Sequence, residues 1–321
     1  MSCLSRCMTA LLCSVIIQAS AQAEALPLPE SIELAKTVPI ADVHMHLVDL
    51  SAQEHQAQMD RNGVQWGGGV GRTGKSAPDP DQVIALLGKR YFRGIGQEEF
   101  TRVFYSEGAD GLLDPESIAF KEMFEVADEL LRERRAYGFG ELHIDNSKSF
   151  SSYQFARRIP FDNPVMRQIY TLANQHGAFV QIHMQADHPE NMAALESYLR
   201  AFPKARTVLS HGLGYSKQPM LRALLGRHPN LFLELSRKGG TLNEKEAARV
   251  FSLEGAPKDF WLKTIEEYPD RFMVGSDTHS PDEYKYDEVM QEFRTSLFPF
   301  LKPSTLKLVA HGNAIREFRL E

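Results

Sequence analysis

Ala41-Asp42-Val43-His44-Met45-His46-Leu47 is the stretch from which the rest of the chain can be read. Side chains alternate along a strand, so two histidines one residue apart share a face and their imidazoles stand side by side. The preceding Thr37-Val38-Pro39-Ile40 ends in apolar and β-branched residues suited to a buried strand, which puts both rings at its carboxyl end. Imidazole is the commonest metal ligand, and a pair aimed this way can hold one ion. The motif is short, however, and histidines that merely hydrogen-bond at a strand end would read the same way. A metal reading therefore needs more ligands at the ends of other strands.

Beyond this strand, apolar runs and helical periodicities alternate. Strands are expected at Val64 to Val70, Tyr91 to Ile95, Tyr137 to Ile144, Ala178 to Met184, Thr207 to His211, Leu231 to Leu235 and Phe272 to Ser276. Between them the spacing predicts helices at Ala52 to Arg61, Asp81 to Leu87, Pro115 to Arg135, Pro164 to Gln175, Asn191 to Ala201, Pro219 to Leu225 and Lys258 to Glu267. Alternation with helical crossovers implies a parallel sheet, and eight such units imply an α/β fold closed as a (β/α)8 TIM barrel. Asp282 to Leu297 and Ser304 to Phe318 are expected as additional C-terminal helices.

Residues 1 to 23 read as a signal peptide, with Arg6 near the start, an apolar core from Met8 to Ile17, and Ala21-Gln22-Ala23 before a cut. Residues 24 to 321 are then expected to form a single domain, periplasmic or secreted. No stretch is long enough for a stable membrane anchor. Cys3, Cys7 and Cys13 all lie in the signal, so disulfide and thiolate chemistry are excluded from the mature chain. Removing Arg6 with the signal leaves 35 basic against 42 acidic residues, a net charge of −7, which argues against nucleic acid as a partner.

Gly69-Val70-Gly71-Arg72-Thr73-Gly74-Lys75-Ser76 matches the phosphate-loop pattern G-x-x-x-x-G-K-[ST]. That loop works by leading directly into a helix whose amides hold phosphate. Here Ala77-Pro78-Asp79-Pro80 follows and disfavours helix, so a mobile glycine-rich loop is expected instead.

In a closed parallel barrel, activity sits at the carboxyl ends of the strands. Those ends carry His44 and His46, Glu141, His183, His211 and Asp277. With Asp42-Val43-His44-Met45-His46, Gly275-Ser276-Asp277 and the closing His311-Gly312-Asn313-Ala314-Ile315-Arg316-Glu317-Phe318, the chain resembles the amidohydrolase superfamily, in particular its amidohydrolase 2 branch of metal-dependent TIM-barrel hydrolases. The resemblance spans nearly the whole mature chain. It implies that His44, His46, His183 and Asp277 bind a metal, and that His211 is a ligand of a second ion or a polarising group beside the first. Glu141 stands where many members carry a bridging carboxylated lysine, which leaves one or two ions open.

Imidazoles with hard carboxylates suit a divalent metal, with zinc the expected ion. Such an ion lowers the pKa of water toward about 7. Asp277 is then the expected proton acceptor and donor, with His211 helping to polarise the scissile carbonyl. The expected activity is hydrolysis of a small amide, ester or lactone, without a covalent intermediate, since no G-x-S-x-G elbow occurs. The rival is decarboxylation of an aromatic or unsaturated acid, because this branch resembles decarboxylases that use the same ligands. A non-enzymatic binding protein that has kept the barrel is the third reading.

Arg72, Arg157 and Arg237 are candidates to receive an anionic small-molecule substrate, with Lys75, Lys148, Arg158 and Lys238 nearby in sequence. Trp66, Tyr153 and Phe155 are candidates for an apolar wall, and residues 67 to 80 and 146 to 152 for lids. Oligomeric state is not legible.

Overall fold

A computed structural model describes residues 25–147, 156–214, 216–236, 257, 259–279, 281 and 286–321. The expected signal, Arg237, Lys238, Lys148, Tyr153 and Phe155 lie outside the described residues. Among the described residues nine strands form one sheet: β1 (Ile40–Leu47), β2 (Val64–Arg72), β3 (Tyr91–Phe92), β4 (Gly94–Gly96), β5 (Gly138–His143), β6 (Phe179–His183), β7 (Arg206–Leu209), β8 (Leu231–Leu235) and β9 (Phe272–Val274). Their order is β3-β2-β1-β9-β8-β7-β6-β5-β4, and every pairing is parallel.

β3 and β4 stand at the two ends of that order, yet only Arg93 separates them in the chain. One interrupted strand therefore pairs with β2 on one edge and with β5 on the other, and the sheet closes. Counted once, it makes the eighth strand of a (β/α)8 barrel.

Local chemistry sets the crossovers. Helix Ala52–Asn62 starts at a capping box, in which Ser51 N–H donates to Glu54 Oε2 (2.7 Å) and Glu54 N–H to Ser51 Oγ (3.2 Å), and it ends at Gly63 with φ 66°. Helix Pro164–His176 is capped by Asn163 Oδ1, which accepts from Met166 N–H, and stops at Gly177 with φ 64°. A helix absent from the sequence reading, Gln97–Gly111, stands ahead of helix Ile118–Arg132. Its buried positions Phe100 and Val103 recur at helical spacing, but Gly108 and Gly111 close by mask the period.

The apolar interior is divided in two. The larger cluster lies between sheet and helices and includes Ile40, Met45 and Leu47. The smaller takes residues from most strands, namely Ala41, Val43, Phe92, Phe179, Val208, Phe232 and Met273, together with Ala314, Phe318 and Leu320 of the C-terminal segment. This is the filling of the barrel lumen at its amino-terminal end. Asn313 Nδ2 donates to Pro269 O (2.9 Å) and Phe272 O (2.8 Å), pinning that segment beneath the start of β9.

Along β1, even-numbered Ile40 and odd-numbered Met45 belong to the same outer cluster. The alternation has flipped between them, and the pairing with β2 shifts register in the same interval, between Asp42 and Met45. This bulge turns Ala41 and Val43 into the lower lumen and, one step later, His44 and His46 into the upper mouth.

Two expectations are corrected here. Trp66 does not line the mouth: it belongs to the lower cluster, with its ring 6.1 Å from that of His311. Residues 67 to 80 are not a loose lid either, because β2 continues through Arg72 and Ala77 and Pro78 are buried. A Cβ on Gly69, whose φ is +89°, would stand 2.3 Å from Val43 O, and one on Gly74 would meet Asp49 Oδ1 at 2.2 Å. The glycines of the phosphate-loop match are thus required by close backbone approach.

Candidate metal centre

All parallel strands deliver their carboxyl ends to one mouth, and the six expected ligands meet there. His44 and His46 leave β1 with ring centroids 5.1 Å apart, and His211 lies 5.3 Å from His44 and 4.8 Å from His183. Glu141, on β5, is held at the centre. Its Oε2 is 3.5 Å from His44 Nε2, while its Oε1 is 3.3 Å from His183 Nδ1 and 3.4 Å from His211 Nε2. Asp277 Oδ1 is 3.4 Å from His44 Nε2 and 3.6 Å from His46 Nε2, and its Oδ2 is 3.7 Å from His211 Nδ1.

Two of these residues sit beyond the strands expected to carry them. β7 stops at Leu209 and β9 at Val274, and His211 (φ 58°) and Asp277 (φ 49°) take left-handed conformations on the turns that follow. Leaving the ladder re-aims each side chain at the axis of the barrel. Such backbone positions persist where surrounding contacts over-determine them. For Asp277 the contacts are clear: its N–H donates to His44 O (2.9 Å), and Ser276 N–H and His44 N–H both donate to Asp42 Oδ1 (2.8 and 3.1 Å). Asp42 of the D-x-H-x-H motif is therefore the clasp between β1 and β9.

Outer partners fix the imidazoles. His46 Nδ1 donates to Gly71 O (3.0 Å); a carbonyl can only accept, so Nε2 turns its lone pair toward the cluster. His44 Nδ1 is 2.9 Å from Glu234 Oε2, and the same oxygen accepts from His211 N–H (3.1 Å). His211 Nδ1 pairs with Ser236 Oγ (2.6 Å). Gln97 Oε1 accepts from both Gly71 N–H (2.8 Å) and Glu141 N–H (3.1 Å), tying β2 to β5.

His143 Nδ1 lies 3.2 Å from Arg157 Nη2, which can only donate, so its Nε2–H is left to donate to Glu141 Oε2 (2.9 Å). Burial lowers His143 to about 4, in keeping with this neutral form. Burial likewise takes His46 to about 4. Burial opposes protonation of His44 too, but Glu141, Asp277 and Glu234 raise it well above the usual histidine range. Burial would raise Glu141, yet the charge on His44 and the hydrogen bond from His143 hold it well below the usual carboxylate range.

These features fit a bound cation. Glu141 and Glu234 are fully buried, and among the described residues no Lys or Arg pairs with either. His44 Nε2 and His46 Nε2 are buried without a hydrogen-bond partner although they point at carboxylate oxygens. Buried charge and unmatched lone pairs of this kind are stable when they coordinate a metal. Four donor groups lie within 4.8 Å: His44, His46 and Glu141; His44, His211 and Glu234; His46, Asp277 and His279; and Glu141, His183 and His211.

The sequence reading missed Glu234, His279 and Gln97. Glu234 is the one acid inside the apolar run Leu231 to Leu235, a signal that was present. His279 stacks on His46 at 4.8 Å and places Nε2 3.1 Å from Asp277 Oδ1. Its sequence cue is only its position two residues after Asp277. Of the anion-receiving candidates, Arg72 pairs with Glu98 and Arg157 packs beside His143, while Arg237 lies outside the described residues.

No curated protein matches the sequence. Several solved structures share the fold. A protein from Pseudomonas putida named for 2-pyrone-4,6-dicarboxylic acid hydrolysis superposes with a TM-score of 0.55, at 15% identity over 88% of this chain and 98% of its own. The 2,6-dihydroxybenzoate decarboxylase from Rhizobium gives 0.51, at 11% identity over 88% and 99%. A β-aspartyl dipeptidase from Fervidobacterium islandicum-AW-1 gives 0.51, at 14% identity over 88% and 73%. At these identities the likeness is one of fold. The family model described as amidohydrolase, Amidohydro_2, matches residues 41–320, from the strand bearing the paired histidines to the segment that plugs the barrel, and the chain belongs to that family.

Proposed function

We propose that this chain is a metal-dependent hydrolase that cleaves a small amide, ester or lactone. The observation that carries the reading is the double aspect of Glu141: one oxygen faces His44 of β1, the other faces His183 and His211. A carboxylate so shared suits two adjacent cations, an arrangement matched to hydrolytic displacement. His44, His46, Glu141 and Asp277 would hold one, and Glu141, His183 and His211 the other. Ligands of this mixed nitrogen and oxygen character suit zinc. When bound there, the ions supply Lewis acidity toward a carbonyl oxygen and make water more acidic.

The chain's own groups supply the rest. Asp277 Oδ2 receives the proton of the attacking water and returns it to the leaving group. His211 is anchored through Nδ1 to Ser236 Oγ, which fixes its ring so that Nε2 faces Glu141 Oε1, where the second cation would be held. Glu234 and Gly71 O hold the β1 imidazoles in the tautomer that faces the cluster.

Purified protein is expected to carry metal and to hydrolyse at least one member of a panel of lactones, esters and N-acyl compounds. His183→Ala should lower turnover by about 10³-fold or more while far-UV circular dichroism stays unchanged. Unchanged turnover in that variant would refute the site. Release of carbon dioxide from an aromatic acid, with no water incorporated, would favour decarboxylation by the same ligands.

A further inference from the structure

Arg72 ends β2, and Arg157 and Arg158 lie in the segment beyond β5, but their charges are matched differently. Arg72 donates through Nε and Nη2 to Glu98 Oε2 (2.9 and 2.5 Å). Arg158 donates through Nε to Asp145 Oδ2 (2.9 Å) and through Nη2 to Ser147 Oγ (2.9 Å). Arg157 is 5% exposed, and among the described residues no carboxylate lies within ion-pair distance of it. Its Nε–H donates to His143 O (3.3 Å), its Nη2 to His143 Nδ1 (3.2 Å), and its guanidinium lies 4.7 Å over the Phe104 ring.

A guanidinium carries five N–H groups, and His143 takes two. The three that remain sit on Nη1 and Nη2, the end-on fork that grips a carboxylate through two parallel bonds. A buried charge without a counter-ion is costly, so a charge that no described carboxylate matches points to an anion that arrives from outside. The fork stands one imidazole away from the donor cluster, since His143 Nε2 is 2.9 Å from Glu141 Oε2.

We infer that Arg157 is the receptor for a carboxylate carried by the substrate, so that the site takes a small carboxylic acid whose reacting group lies beside Glu141. This rests on reading the cluster as the metal centre of an enzyme. A single guanidinium balances a single charge, and Glu141 beyond His143 disfavours a dianion, which selects carboxylate over phosphate. The aromatic face of Phe104 beneath the guanidinium holds the fork in place and suits a flat, unsaturated substrate body.

The test is equilibrium binding, by calorimetry on zinc-loaded protein, of benzoate, 2,6-dihydroxybenzoate, their two carboxamides and phenyl phosphate. At least one acid is expected to bind wild type ten-fold or more tightly than its amide. Arg157→Met should weaken that acid by about 10- to 100-fold, the range for a lost charge-assisted pair, and leave the amide within about three-fold. Arg157→Lys keeps the charge without the fork and should fall between them; it carries the test should Arg157→Met melt early.

Equal binding of acids and amides by wild type, an acid preference that survives both substitutions, or tighter binding of phenyl phosphate than of either acid would overturn the inference. Metal content measured on the same samples separates the two levels. Bound metal with no acid preference defeats this inference alone, whereas protein that takes up no metal defeats the reading beneath it.

Discussion

Glu234 shows how one side chain can hold two others that come from different elements. Its Oε2 holds His44 Nδ1 at 2.9 Å and accepts the His211 N–H at 3.1 Å, so it orients a ring from β1 and the turn after β7 together. Partners of this kind set both the tautomer and the basicity of a ligating histidine. Glu234→Gln keeps the shape and removes the charge. Metal affinity, read by competition with a chromophoric chelator, should fall about 10- to 100-fold. An unchanged affinity would show that the His44 ring is held by packing alone. Glu234 was visible as the lone acid of an apolar strand, but periodicity could not say that it faces inward onto His44, because the partner lies 190 residues away.

At the scale of elements, helix Ala52–Asn62 buries a titratable group of its own. His55 is 2% exposed, and burial keeps its pKa below the ordinary histidine value. An unfolded histidine titrates near 6.5. Below that pH the unfolded chain takes up a proton that the folded chain accepts only at lower pH, so stability falls as pH drops from about 6.5 toward the folded pKa and is level above about 7. Melting temperatures of wild type and His55→Phe, taken from pH 7.5 to 5.5, should show the wild-type value falling relative to the variant. A constant difference would mean that His55 titrates normally. Elements with a strong period were legible at this scale: helix Ile118–Arg132 buries Phe120, Met123, Ala127, Leu130 and Leu131 along one face. Helix Gln97–Gly111 was not, since a non-helical Gly108 (φ 75°, ψ −165°) interrupts the pattern that would announce it.

Over the whole molecule, the two ends of the barrel do different work. The carboxyl mouth gathers the donors, and the amino-terminal mouth is stoppered by the C-terminal segment, where the Phe318 ring lies 4.6 Å from Phe179 and 5.7 Å from Phe92. The motif His311 to Phe318 thus marks the family through packing rather than chemistry. Phe318→Ala should cost about 3–5 kcal/mol of stability, read by denaturant unfolding, and leave metal stoichiometry unchanged. Loss of metal at full folding would instead couple the plug to the site.

Strand number, parallel order and the strand ends that carry the clustered histidines and acids followed from sequence, because apolar runs of strand length and polar residues just beyond them are local patterns that hydrophobic burial imposes on any such barrel. Only the tertiary structure could place the β1 bulge between Asp42 and Met45, the left-handed turns at His211 and Asp277, and the pairing of Arg72 and Arg158 that leaves Arg157 without a carboxylate among the described residues. Those depend on which neighbours closure of the sheet presses together, and contacts between residues far apart in the chain leave no mark on local periodicity.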